Sequence, residues 1–176
     1  MVDAAPTYSS DFLDAVAPLL EVEGGYVDNS EDPGGETKFG ISARYHSGVD
    51  IKNLTRDDAI AIYWSEWWLA YHYDQLEPRV AAKMLQMAPL IGPANAAICL
   101  QRACRANGRT LAEDGVVGES TRECSAALAL HNFDALLAAM RSEFAAYFRA
   151  KDALERGRRP EADEPFLKGW LSRAYE

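Results

Sequence analysis

A glutamate stands before two glycines in Glu23-Gly24-Gly25-Tyr26, with Asp32 nine residues and Thr37 fourteen residues further on. Two carboxyl groups and a hydroxyl in that order suit the hydrolysis of a glycosidic bond. One carboxylic acid protonates the leaving oxygen, and a second carboxylate positions water or stabilises the oxocarbenium-like transition state. The acid must keep its proton near neutral pH, so its surroundings have to raise its pKa. Glu23 continues the apolar side made by Phe12, Val16, Leu19 and Leu20 and falls in the last turn of a helix. Partial burial and the negative end of the helix dipole both disfavour its anion. Glu21 points elsewhere, toward solvent. A reversal at Asp32-Pro33-Gly34-Gly35 brings Asp32 and the Thr37 hydroxyl back toward Glu23, with Asp32 polarising the attacking water and Thr37 helping to hold it. The oxygen-rich run Asp28 to Asp32 lacks the later bidentate glutamate of a calcium loop, so no metal site and no cofactor are expected.

The elements that must position these residues read as helices. Ser9 or Ser10 caps the first, Pro18 kinks or restarts it, and Gly24-Gly25 ends it. From Tyr26 to Asp50 the periodicity vanishes into a long irregular loop, with a short strand expected around Lys38 to Ser42. Thr55-Arg56-Asp57-Asp58 opens a second helix, whose Ile60, Tyr63, Trp64, Trp67, Trp68 and Tyr71 form one broad stripe. Such a stripe is core more often than ligand platform, yet five large aromatics exceed a narrow stripe. Trp68 or Tyr71 is therefore a candidate to stack on a sugar ring, and Tyr26 is a third substrate-binding candidate beside the acid. Val80 to Ala88 reads as a short helix stopped by Pro89. Another begins at Pro93 and runs to Gly108. Asp114-Gly115-Val116-Val117-Gly118 is a turn before a helix near Ser120 to Leu130, Asn132 caps a long one, and Phe166 to Tyr175 is the last.

Composition narrows the classes further. The 176 residues are 48% hydrophobic and 26% charged, which is ordinary for a globular domain. A net charge of −9 argues against nucleic-acid binding and against simple adsorption to anionic walls or lipids. A wall polymer would have to be recognised by a shaped groove and aromatic surfaces. No run is long and apolar enough to span a membrane. Met1 to Ser10 lacks the features of a signal peptide, so synthesis in the cytoplasm is expected. Cys99, Cys104 and Cys124 are read as reduced, semi-buried helix residues, and their spacing with His46, His72 and His131 fits no zinc pattern.

Taken together, Glu-Gly-Gly-Tyr, Asp-Pro-Gly-Gly and Thr-Lys-Phe-Gly-Ile resemble the N-terminal signature of glycoside hydrolase family 108, the N-acetylmuramidases of phage endolysins and secretion-associated loci. The likeness is close over Glu23 to Ile41 and looser through Ala59 to Trp68. Ala97 to Gln101, Asp114 to Gly118, Thr121 and the closing Phe166, Gly169-Trp170-Leu171 and Arg173 resemble the C-terminal peptidoglycan-binding segment of such proteins. The resemblance gives Glu23 the general-acid role and extends to Asp32 and Thr37. The chain departs from it at Gln86 and Leu90, where the family commonly carries an Asp and, four residues later, an Asn.

The expected fold is all-α, a lysozyme-like single domain with a long irregular active-site loop, or a minimal β-hairpin, after the first helix. Residues 1–92 form its catalytic part, and residues 93–176 a helical peptidoglycan-binding-like part in the same globule. The expected protein is a monomeric peptidoglycan hydrolase cleaving the β-1,4 bond between N-acetylmuramic acid and N-acetylglucosamine. It binds neither nucleic acid nor membrane and reaches the wall or periplasm through a holin or a secretion route. Two rivals are a lytic transglycosylase on the same scaffold and a non-catalytic wall-binding or secretion-accessory protein. Gln86 and Leu90 are the features that keep the last of these open.

Overall fold

The computed structural model describes residues 7–22, 25–26, 35–158 and 165–176. Its secondary structure is six α-helices, one π-helical turn, one 3-10 turn and a two-stranded hairpin among those residues. The all-α, lysozyme-like expectation holds, and the irregular loop does contain a minimal hairpin. The chain divides into two compact units, Met1–Asp74 and Gln75–Glu176. In the second unit α3 (Pro78–Ile91) packs on α4 (Pro93–Ala106). No described helix is long and apolar enough to cross a membrane.

In the first unit, α1 (Ser10–Val22) starts where the Ser9 hydroxyl accepts the Phe12 amide at 3.3 Å. Pro18 lies inside this helix and does not end it. Phe12, Ala15, Val16, Leu19 and Leu20 are buried, whereas Glu21 is exposed, as the helical spacing requires. Burying the fully enclosed Phe12 contributes roughly 2–3 kcal/mol. Helix α2 (Arg56–Ile62) opens with a complete capping box, in which Thr55 accepts the Asp58 amide and Asp58 accepts the Thr55 amide.

From Tyr63 to Leu69 the chain winds as a π-helix. In an α-helix, residues five apart point about 140° from one another. Widening the turn to i→i+5 brings them to one side. Tyr63 and Trp68 are therefore both buried, at 1% and 2% exposure. Trp68 packs on Phe12 with ring centroids 5.5 Å apart, and Trp64 meets Phe12 edge-on at 4.9 Å.

In the second unit, Glu77 caps α3 by accepting the Arg79 and Val80 amides, with Pro78 at the first helical position. Pro89 does not stop this helix: α3 continues to Ile91. Met87, Ala88 and Ile91 are buried, and this packing offsets the hydrogen bond that the proline cannot donate. Gly92, at φ +85°, makes the corner into α4, a backbone conformation that favours glycine. Helix α5 (Glu119–Arg158) is broken at Asn132, whose extended backbone and side-chain bond to the Ala135 amide cap a second limb at that residue. Helix α6 (Pro165–Tyr175) packs on α5, with Trp170 stacked on Phe148 at 5.4 Å. Cys99 and Cys104 are buried free thiols whose pKa burial pushes up to about 12, and Cys124 is free and half-buried.

Lys83 is a buried charged residue in this interior. Only 4% exposed, it donates to the Arg173 carbonyl at 2.7 Å, and burial brings its pKa down from 10.5 to about 8. Between pH 8 and 10.5 the unfolded chain therefore holds a proton that the folded chain has released. The stability contribution of this group rises with pH across that window, and below it the buried charge is a constant cost. Urea unfolding of the wild type and Lys83→Met at pH 7.5 and 10 measures this. Wild type is expected to gain roughly 2 kcal/mol on the variant over that interval. A difference that stays flat with pH contradicts the assignment.

Candidate active site

Thr37 sits on the first strand of the hairpin, formed by β1 (Thr37–Lys38) and β2 (Ile41–Ser42), antiparallel with Thr37 opposite Ser42 and Lys38 opposite Ile41. The two turn residues, Phe39 at φ 53° and Gly40 at φ 75°, are both left-handed, the backbone that a two-residue turn needs to match strand twist. The Ala43 amide extends the ladder by donating to the Glu36 carbonyl at 2.9 Å. Ile41 is buried beneath the hairpin, and Thr37 is half-buried, its hydroxyl donating at 3.4 Å to the Gly35 carbonyl. At that length the bond is weak, so the hydroxyl can be recruited by a better partner.

The π-helix fixes this hairpin at two points. Tyr63 donates its hydroxyl to the Phe39 carbonyl at 3.0 Å, gripping the turn itself. Glu66 pairs with His46 at 3.1 Å, and the other ring nitrogen of His46 lies 3.2 Å from the Ser42 carbonyl at the end of β2. Tyr63→Phe is expected to lose about 1 kcal/mol of stability, the ordinary worth of one such bond. It should also speed hydrogen exchange at the Ala43 amide, measured by NMR. Unchanged exchange there would show that the π-helix does not hold the hairpin.

A second contact brackets the same loop. Tyr26 donates its hydroxyl to the Glu36 carboxylate at 2.8 Å, ten residues along the chain. Tyr26 is 37% exposed and Glu36 half-buried, so a polar pair flanks Thr37. The sequence singles out Tyr26 but gives no signal for Glu36, because nothing in the spacing predicts which carboxylate a tyrosine ten residues away will meet. Glu23 and Asp32 lie outside the described residues.

The aromatic candidates separate clearly. Trp68 is 2% exposed and belongs to the core, so it offers no face to a sugar; the π-turn has carried it inward. Tyr71 is 39% exposed, and its ring lies 5.9 Å from the half-buried Trp67. Gln86 and Leu90 are both half-buried on α3.

Comparison with known proteins adds a family match over part of the chain. The Glycosyl hydrolase 108 family matches residues 16–92, a span that includes Glu23, Asp32, Thr37, the hairpin and the π-helix. No match is found among curated proteins. Among solved structures, that of SagA from Brucella abortus is similar, with 26% sequence identity and a TM-score of 0.67. The match covers 93% of this chain and 92% of that one. The family match supports a glycoside hydrolase. Residues 16–92 thus resemble glycoside hydrolase family 108.

Proposed function

We propose that the protein is an N-acetylmuramidase that hydrolyses the β-1,4 bond between N-acetylmuramic acid and N-acetylglucosamine in peptidoglycan, and that it acts at the bacterial cell wall. The observation that carries this reading is the family match over residues 16–92, which contains the acid–carboxylate–hydroxyl order of Glu23, Asp32 and Thr37. In this mechanism Glu23 protonates the glycosidic oxygen as the bond to the leaving sugar breaks. Water then attacks the anomeric carbon from the site held by Asp32 and Thr37, and its proton passes to the carboxylate. The weak bond of Thr37 to the Gly35 carbonyl leaves its hydroxyl free to take that water. Exposed Tyr26 and Tyr71 are the faces proposed to meet sugar rings. Mass spectrometry of purified peptidoglycan digested by the protein tests the chemistry. New reducing ends on N-acetylmuramic acid are expected. Anhydro ends would mean that the sugar's own hydroxyl attacks, and undigested wall would mean that the segment only binds.

A further inference from the structure

An open cavity of about 580 Å³ in the second unit is lined by Arg102, Arg105, Arg109, Thr110, Glu113 and Glu143. Three guanidinium groups at one concavity are unexpected in a chain of net charge −9. Glu113 explains two of them: it accepts from Arg102 Nε at 2.8 Å and from Arg105 Nη1, pinning the loop before Asp114 to helix α4. This pair of bonds uses one nitrogen of each arginine and leaves the remaining N–H groups unengaged by Glu113. Arg102 is held more firmly protonated, chiefly by its hydrogen bond to Glu113, with the field of Glu143 also contributing.

The other two charges make no such bond, and Glu143 acts on Arg102 through its field alone. Arg109 is exposed, and it makes no side-chain hydrogen bond or ion pair among the described residues. Glu143, half-buried on α5, likewise makes none, and the two do not pair with each other. A cation and an anion that line one cavity without meeting are the complement of a ligand carrying both charges. A carboxylate suits the arginine side, where a guanidinium offers a planar fork of donors, and an ammonium suits Glu143.

We propose that this cavity binds an amino-carboxylate zwitterion, a carboxylate and an ammonium carried by one carbon, as presented by the diamino acid of peptidoglycan peptide stems. The choice of the stem as its source rests on the reading under Proposed function; the zwitterion chemistry rests on the cavity alone. The ligand carboxylate lies against Arg109 and the free edges of Arg102 and Arg105, and the ammonium donates to Glu143. Glu113 stays bound to its two arginines and keeps their forks aimed.

Isothermal titration of the intact chain with N-acetylmuramyl tripeptide ending in meso-diaminopimelate tests this. Saturable binding is expected, weakened about tenfold or more by Arg109→Gln and by Glu143→Gln, since charge-assisted hydrogen bonds are the strong ones. Amidating the ligand's carboxylates should remove the effect of the arginine change, and acetylating its ammonium that of the glutamate change. Circular dichroism of both variants should match the wild type, because neither residue is buried. Tighter binding of the muramyl tripeptide than of free diaminopimelate supports the stem as source, and equal binding overturns it. No binding, or two variants that bind like the wild type, overturns the cavity assignment. The probe contains no β-1,4 bond, so its binding reports on the cavity and glycan cleavage reports separately on the hydrolase.

Discussion

Glu23→Gln is expected to abolish measurable release of reducing ends from purified peptidoglycan, a fall of roughly 10²–10⁴-fold or more, the usual worth of a general acid. Glutamine keeps the shape and the hydrogen-bonding capacity of the side chain but has no proton to give the leaving oxygen. In the sequence Glu23 follows Val22, the last residue of helix α1. Thermal unfolding of the variant should match the wild type, which separates a chemical loss from a folding loss. Full lysis by a folded Glu23→Gln protein would remove the general-acid assignment. Asp32→Asn then discriminates the mechanism: hydrolysis should suffer strongly, whereas attack by the sugar's own hydroxyl needs no second carboxylate.

Gln101→Leu is expected to cost about 2–4 kcal/mol, the largest stability loss among the polar substitutions considered, because it removes at once the several hydrogen bonds by which one buried amide holds a part-buried turn. Gln101 is 1% exposed on α4 and works in both directions. Its amide nitrogen donates to the Asp114 carboxylate at 2.6 Å and lies 3.0 Å from the Val116 carbonyl and 3.2 Å from the Thr121 hydroxyl. Its oxygen accepts the Gly115 amide at 3.1 Å. The Asp114 carboxyl is held below its usual pKa first by the Val116 amide and then by Gln101. A leucine fills a similar volume but satisfies none of these groups. The loop has little room to find substitutes: Gly115 is at φ +75°, and a Cβ there would lie 3.2 Å from the Ala94 carbonyl oxygen. Urea unfolding should show a lowered midpoint with an unchanged slope. Asn132→Ala, which removes only a helix cap, should cost about 1 kcal/mol and serves as the scale. Equal losses for the two variants would show that Gln101 is not the clamp of this turn.

The residues of that turn were visible in the sequence only as a resemblance, Ala97 to Gln101 followed by Asp-Gly-Val-Val-Gly and Thr121. The structure supplies the reason they occur together: one buried amide holds the turn against α4 and the start of α5. The Asp114 and Glu113 pairings are equally out of reach of spacing arguments, since each joins residues on different elements. Glu36 as the partner of Tyr26 is a third case.

What the sequence determined by itself was local. The caps at Ser9, Thr55 and Asn132, the prolines that open α3 and α4, and the buried face of α1 all follow from bonds or periodicities within a few residues. The order of Glu23, Asp32 and Thr37 was also there to read, because a family signature is written along the chain. What only the tertiary structure decided depends on packing between distant segments. The aromatic run is a regular α-helical stripe on paper. Contact with Phe12 of α1 and the grip of Tyr63 on the hairpin accompany a π-turn that takes Trp68 into the core and leaves Tyr71 exposed. Pro89 looked like a stop, yet burial of the residues around it carries α3 on to Gly92, because several packed side chains outweigh one missing hydrogen bond.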